Sequence, residues 1–194
     1  MKDEFCPDCG AKAKERRSLE DIIEQKLLDK RILILHGETG ENTCNLACKE
    51  LVYLGSVSKE PIKVILNSVG GEVYHALLIY NTLTSLRKEG IRITIEVRGL
   101  AASMGLIILQ AGSERLTTKY TRFLMHEITT WAFGKASQVE EEAKEAKKVN
   151  DMLYEIISER TGKSIKVIAK KCKKKDVWMN ADEALKYGLI DKIV

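Results

Sequence analysis

Four short stretches of this 194-residue chain hold groups suited to acyl transfer. Ser103 lies in Ala101-Ala102-Ser103-Met104-Gly105, where an extended apolar run gives way to helical spacing. A strand that turns sharply into a helix exposes the first helical side chain and leaves backbone N–H groups free beside it. Gly-x-Ser-x-Gly hydrolases hold their nucleophile this way, and here Ala101 replaces the first glycine. Taken alone, Ser103 also reads as a helix N-cap. Gly70-Gly71 stands between another strand-like run and a helix. Backbone without side chains can offer N–H groups to a developing oxyanion, and it can equally make an ordinary tight turn. His126 closes the apolar run Phe123-Leu124-Met125, where partial desolvation favours the neutral imidazole that a general base needs. Asp176 follows a lysine run and precedes Val177 and Trp178, a position from which a carboxylate can orient a histidine. Singly, these two are a core histidine and a surface charge. Together, Ser103, His126 and Asp176 supply nucleophile, base and orienting carboxylate, each at the end of a strand, which is the set that acyl transfer requires.

Such residues need a frame. From Ser18, an N-cap with Asp21 three residues on, apolar residues recur at Leu19, Ile22, Ile23, Leu27 and Leu28 with helical spacing. Residues 31–35 predict a short strand, stopped by a turn over 37–40, and residues 43–54 a helix. The unit repeats twice: a strand over 62–66, ended by 67–71, then a helix over 73–86; a strand over 91–97, then an apolar helix over 103–110. A short apolar stretch at Arg115-Leu116 leads to a strand over 121–128 and a charged helix over 136–160. The last unit joins a lysine-rich helix, a strand over 177–179 and a helix over 181–187. This alternation predicts an α/β fold with parallel pairing. In the charged helix, Val139, Ala143, Ala146, Val149, Leu153, Ile156 and Ile157 make one apolar stripe, which either packs on its own domain or meets another subunit.

Composition narrows the function classes. With 44% hydrophobic residues the chain can bury one good core, and it divides into an N-terminal extension, residues 1–17, and one domain, residues 18–194. The net charge of +4 sits largely in the lysine run at 170–175, which reads as a solvated face. A basic stripe interleaved with stacking aromatics is missing, so nucleic acid is not an expected partner. The longest apolar stretch, 99–109, is far too short and interrupted to span a bilayer, and the first residues lack the apolar core of a secretion signal, so the expected compartment is the cytoplasm. Five scattered cysteines fit reduced thiols.

Asn67-Ser68-Val69-Gly70-Gly71, Gly99-Leu100-Ala101-Ala102-Ser103-Met104-Gly105, Met125-His126 and Asp176 followed by Glu183-Ala184-Leu185-Lys186-Tyr187-Gly188-Leu189-Ile190-Asp191 resemble the motifs of the ClpP family of serine peptidases, in the family's order and near its spacing. The resemblance runs from about residue 21 to 194. It implies a crotonase-like spiral of strand-helix units with a protruding handle helix over 136–160. It also implies Ser103 as nucleophile, His126 as general base, Asp176 as third triad member, and the N–H groups of Gly71 and Met104 as the oxyanion hole. Two stacked heptameric rings that degrade unfolded polypeptides are implied too. The peptidase itself would need no cofactor, ATP acting only through a partner AAA+ unfoldase. Val69 replaces the usual proline, and Glu127-Ile128 the usual Gln-Pro, next to where substrate would bind. Before Asp21 the chain departs from the family's axial loop, which contacts the unfoldase, and carries Cys6-Pro7-Asp8-Cys9 instead. Cys6 and Cys9 could present two thiolates from one turn, half of a zinc site, but Cys44 and Cys48, four apart on a helix, read as small buried residues, so no metal is expected, the alternatives being a four-cysteine site within the chain or zinc shared between subunits. Competing readings are a processing protease that works without an unfoldase, a non-catalytic ring subunit, and an acyl-CoA hydratase or isomerase on the same fold. The last needs the oxyanion glycines but no triad.

Overall fold

The computed structural model describes residues 18–173 and 175–194. The expected extension over 1–17, with Cys6 and Cys9, lies outside them. Helix α1 (Leu19–Asp29) begins at the expected cap: Ser18 Oγ accepts the Asp21 N–H at 3.0 Å, and the Asp21 carboxylate accepts the Ser18 N–H at 2.8 Å. Three strand-helix units follow: β1 (Ile32–Thr39) with α2 (Glu41–Val57), β2 (Ile62–Gly71) with α3 (Val73–Lys88), and β3 (Ile93–Ala102) with α4 (Met104–Leu109). Then come β4 (Glu114–Thr117), β5 (Arg122–Met125), α5 (Ala136–Thr161), α6 (Ile165–Cys172), β6 (Val177–Asn180), α7 (Ala181–Tyr187) and β7 (Lys192–Ile193).

The main sheet has the order β1-β2-β3-β4-β7, all parallel. Every second residue of the central strands, including Leu33, Leu35, Val64, Leu66, Ile93, Ile95 and Val97, is buried, as are Leu51 and Leu54 of α2 and Ile79 and Leu83 of α3. That alternation buries one face of the sheet with its crossover helices. Strand β3 changes partner along its length, pairing β4 over 94–97 and β5 over 100–102. The fold is thus the expected mixed α/β array of strand-helix units.

Two expectations need correction. Residues 37–40 and 67–71 are not free turns: β1 runs on to Thr39 and β2 to Gly71, paired through His36 with Asn67 and Thr39 with Gly71 across a register shift at Gly37 and Glu38. Gly37 and Gly70 both sit at φ +89°, so the glycines that look like turn signals serve a bulge instead. Nor is pairing parallel throughout. Strand β6 is antiparallel to β5, because the excursion through α5 and α6 returns the chain to the end of β5 that it left, with Met125 opposite Val177.

Helix α5 packs the later part of its stripe on its own domain. Val149, Leu153, Tyr154, Ile156 and Ile157 are buried on the domain, while Val139 and Ala143, one to two turns into the helix, are exposed. Among the described residues no helix is long and apolar enough to cross a membrane.

A polar knot closes the C-terminal end. Arg115, 5% exposed, donates to both carboxylate oxygens of Asp191, to Gln110 Oε1 at 2.7 Å and to the Gly188 carbonyl at 2.9 Å. Burial pushes the Asp191 pKa up, but the Arg115 hydrogen bonds and charge more than offset it and hold the carboxyl below its usual range. Folding therefore lowers this pKa, so the pair stabilises fully above the unfolded value of about 3.9 and fades as pH falls through the lower folded value. Asp191→Asn should cost about 2–3 kcal/mol at pH 7 by leaving a buried guanidinium short of its partner. In urea unfolding, the gap to wild type should narrow only as the pH drops below about 4.

Candidate active site

Ser103 is the single residue between β3 and α4, and its backbone sits at φ 52° and ψ −121°. Among the described residues only Arg31 is another non-glycine at positive φ. Such a conformation costs about 1–3 kcal/mol and persists only where its surroundings enforce it. Ser103 does occupy the N-cap position of α4, as one reading of the sequence has it, but its hydroxyl makes no capping hydrogen bond. What holds the turn is the Ser103 N–H, which donates to the Leu124 carbonyl of β5 at 3.0 Å.

The glycines follow from that turn. A Cβ at Gly70 would lie 2.6 Å from Ser103 Cβ and 2.8 Å from the Ala102 carbonyl oxygen, so only glycine lets β2 pack against the strained residue. Gly71, at φ +143°, faces β1: its Cβ would come within 2.7 Å of Glu38 Cγ and 3.0 Å of Thr39 N. Ser68, 1% exposed, braces the segment by donating to the Gly37 carbonyl at 2.6 Å and accepting the Gly70 N–H at 3.1 Å. Met104 opens α4, so its N–H has no acceptor within the helix.

Two candidates meet in one small pocket. Ser103 and His126 line a cavity of about 20 Å³ with Met104, Ile107, Met125 and Tyr154. The volume holds about one water. Nε2 of His126 is buried without a hydrogen-bond partner among the described residues, free to accept or to donate. Asp176 arrives from the other direction: the antiparallel register that sets Met125 opposite Val177 carries His126 and Asp176 to adjoining ends of the ladder. Their Nδ1 and Oδ1 atoms are 3.7 Å apart, longer than a hydrogen bond, and Asp176 is 59% exposed. The structure thus brings Ser103, Met104 and His126 to one cavity and Asp176 to within 3.7 Å of His126, while Gly71 packs against β1. The sequence reading missed the bracing by Ser68, although the residue lies within a quoted motif, and it missed Tyr154, whose stripe neighbours Leu153 and Ile157 were the only signal. Burial pushes the Tyr154 hydroxyl well above its ordinary pKa.

Metal ligation finds no support in the core cysteines. Cys44 and Cys172 are buried, burial pushing both thiols up and Cys172 to about 11, while Cys48 lies 3.4 Å from Thr82 Oγ1. No group of three or more His, Cys, Asp or Glu that could hold a metal occurs among the described residues.

A sequence model of the Clp protease family matches residues 14–194. This chain belongs to the Clp protease family. Membership makes it a peptidase of the serine type in general, and the Clp protease sheet of mostly parallel strands with crossover helices is the one described above. Its family motifs coincide with the strained turn at Ser103 and the glycines packed against it.

The packing argument separates two glycines of nearly equal φ. Gly90, at +92°, has nothing within 4 Å of an added Cβ, whereas Gly70, at +89°, meets the Ser103 turn. Gly90→Ala should cost about 1–2 kcal/mol from backbone strain alone. Gly70→Ala should cost about 1–3 kcal/mol more by overpacking, read as the difference in urea midpoint at unchanged slope.

Proposed function

We propose that this Clp protease is a serine endopeptidase that cuts unfolded polypeptides, with Ser103 as nucleophile, His126 as general base and Asp176 as the orienting carboxylate. The carrying observation is the strained Ser103, its hydroxyl free of capping, in one cavity with the unpartnered Nε2 of His126. Ser103 Oγ attacks the peptide carbonyl carbon while its proton passes to His126 Nε2. Backbone N–H groups of Gly71 and Met104 receive the negative charge that forms on the carbonyl oxygen. Collapse breaks the C–N bond, the amine leaves with the proton from His126, and water activated by the same imidazole releases the acyl group. Asp176 accepts from Nδ1–H and fixes the tautomer; its 3.7 Å separation has to shorten when substrate closes the site.

On this reading residues 18–194 are the peptidase domain and residues 1–17 an extension to it. The exposed first turns of α5 then serve as the handle between two stacked heptameric rings, whose chamber restricts access to unfolded chains. The setting is cytoplasmic, the peptidase needs no cofactor of its own, and ATP enters only through an AAA+ unfoldase. Val69 is 59% exposed, so its side chain stands where a substrate strand would run along β2 instead of filling the core.

A fluorophosphonate probe tests the triad directly, since only an activated serine reacts quickly with it. Intact mass should show one adduct per chain, absent in Ser103→Ala, with labelling slowed by about 10³-fold in His126→Ala. No adduct on the assembled wild type would rule out the triad and favour the hydratase or scaffold reading.

A further inference from the structure

Asp176 also lines a second, larger pocket, about 610 Å³, formed by α6, β6 and α7. That volume is in the range of small-molecule sites. Four lysines line it: Lys163, Lys171, Lys175 and Lys186. None of them is ion-paired among the described residues. Only two carboxylates share the pocket with its four lysines. Asp176 faces His126, and Glu183 accepts the Asn180 N–H at 2.8 Å as part of the α7 cap.

The lysines are also concentrated. Nζ of Lys163 and Nζ of Lys171 each lie 4.8 Å from the centre of the Tyr187 ring, so the two ammonium groups are no further apart than twice that distance. Cation–π contact holds each of them there but does not neutralise either. Tyr187 cannot act as their counter-ion: its hydroxyl is buried without a partner, and burial pushes its pKa up, so it stays a neutral phenol. Half-exposed Trp178 adds a flat apolar wall, with the Arg122 guanidinium 6.0 Å from its ring. Of the lysine run read as a solvated face, Lys175 is exposed and Lys171 half-buried, and both line this pocket with Lys163 and Lys186.

We propose that the pocket is a binding site for an oligophosphate. The ligand class follows from the donors. Lysine ammonium groups are compact, strongly hydrated point charges that suit phosphate oxygens, whereas planar carboxylates are best matched by the arginine fork, and no arginine lines the pocket. Several uncommitted cations around one pocket of about 610 Å³ call for a ligand of high charge density. This site goes beyond the peptidase reading and does not rest on it.

The test uses the full chain carrying Trp131→Phe, which leaves Trp178 as the sole tryptophan. Tripolyphosphate is titrated at constant ionic strength while the Trp178 emission is followed. The expected result is a saturable change with one ligand per chain. Affinity should fall about tenfold or more in Lys163→Gln/Lys171→Gln and be unchanged in the exposed control pair Lys26→Gln/Lys30→Gln. Urea unfolding of each variant checks that the fold is kept. A nucleoside triphosphate in a parallel titration identifies the source: tighter binding than tripolyphosphate assigns a nucleotide with its base on Trp178, and equal or weaker binding assigns a free oligophosphate. The proposal is overturned by a non-saturable response, by binding that survives Lys163→Gln/Lys171→Gln, or by an equal loss in the control pair. Since no arm reads hydrolysis, failure of the pocket and failure of the triad are separate results.

Discussion

The hydrogen bond from the Ser103 N–H to the Leu124 carbonyl ties together almost everything that matters at the site. It joins the end of β3 to β5 at the point where β3 has left β4, so a strained backbone conformation is enforced by a sheet rather than by a loop. On the other flank, β2 approaches so closely that Gly70 has no room for a Cβ. A residue held from both sides can keep a positive φ whose cost of about 1–3 kcal/mol would otherwise relax it into the helix. The same strand, β5, that pins Ser103 ends at Met125, one residue before His126.

Polar side chains secure the strand ends around this clamp. Asn67 Oδ1 accepts the Leu100 N–H at 3.1 Å, and its amide nitrogen lies 3.0 Å from His36 Nδ1, so one residue of β2 reaches both neighbouring strands. Gly99 is required beside it, because a Cβ there would come within 2.8 Å of Asn67 Oδ1. With Ser68 bonded to the Gly37 carbonyl, the ends of β1, β2 and β3 form one braced unit. The bulge between β1 and β2 sits in this unit, where Gly70 packs against Ser103 and Gly71 against β1.

Away from the site, the sheet deals differently with its two faces. Helices cover one, as parallel strands normally require on both sides. The opposite face carries charge: Glu96 is 5% exposed beneath Lys63, at 2.6 Å, and Arg98. The Arg98 hydrogen bond, followed by that from Lys63, outweighs burial and holds the Glu96 carboxyl below its usual range. A carboxylate can occupy the middle of β3 because two cations and their hydrogen bonds replace its water. Arg92 and Glu114 extend this layer with a pair at 3.1 Å.

Much of this protein can be read from local sequence, because local physics decides it. The Ser18 capping box, the crossover helices and the buried strands follow from side-chain identity and periodicity within a few residues. Ser103, Gly71, Met104, His126 and Asp176 were recognisable as candidates because the family motifs around them are contiguous. Strand ends were less legible: Gly37 and Gly70 look like turns to a reader of propensity, and only the pairing partner shows that they belong to a bulged ladder. Tertiary structure alone decided the rest. The antiparallel return of β6, more than fifty residues after β5, sets Asp176 next to His126, and no local pattern encodes that register. Lys163, Lys171 and Lys186 likewise line one pocket only because the fold sets α6 beside α7, with Lys163 and Lys171 both over the Tyr187 ring. Charge is a property of residues, but its concentration in one place is a property of the fold.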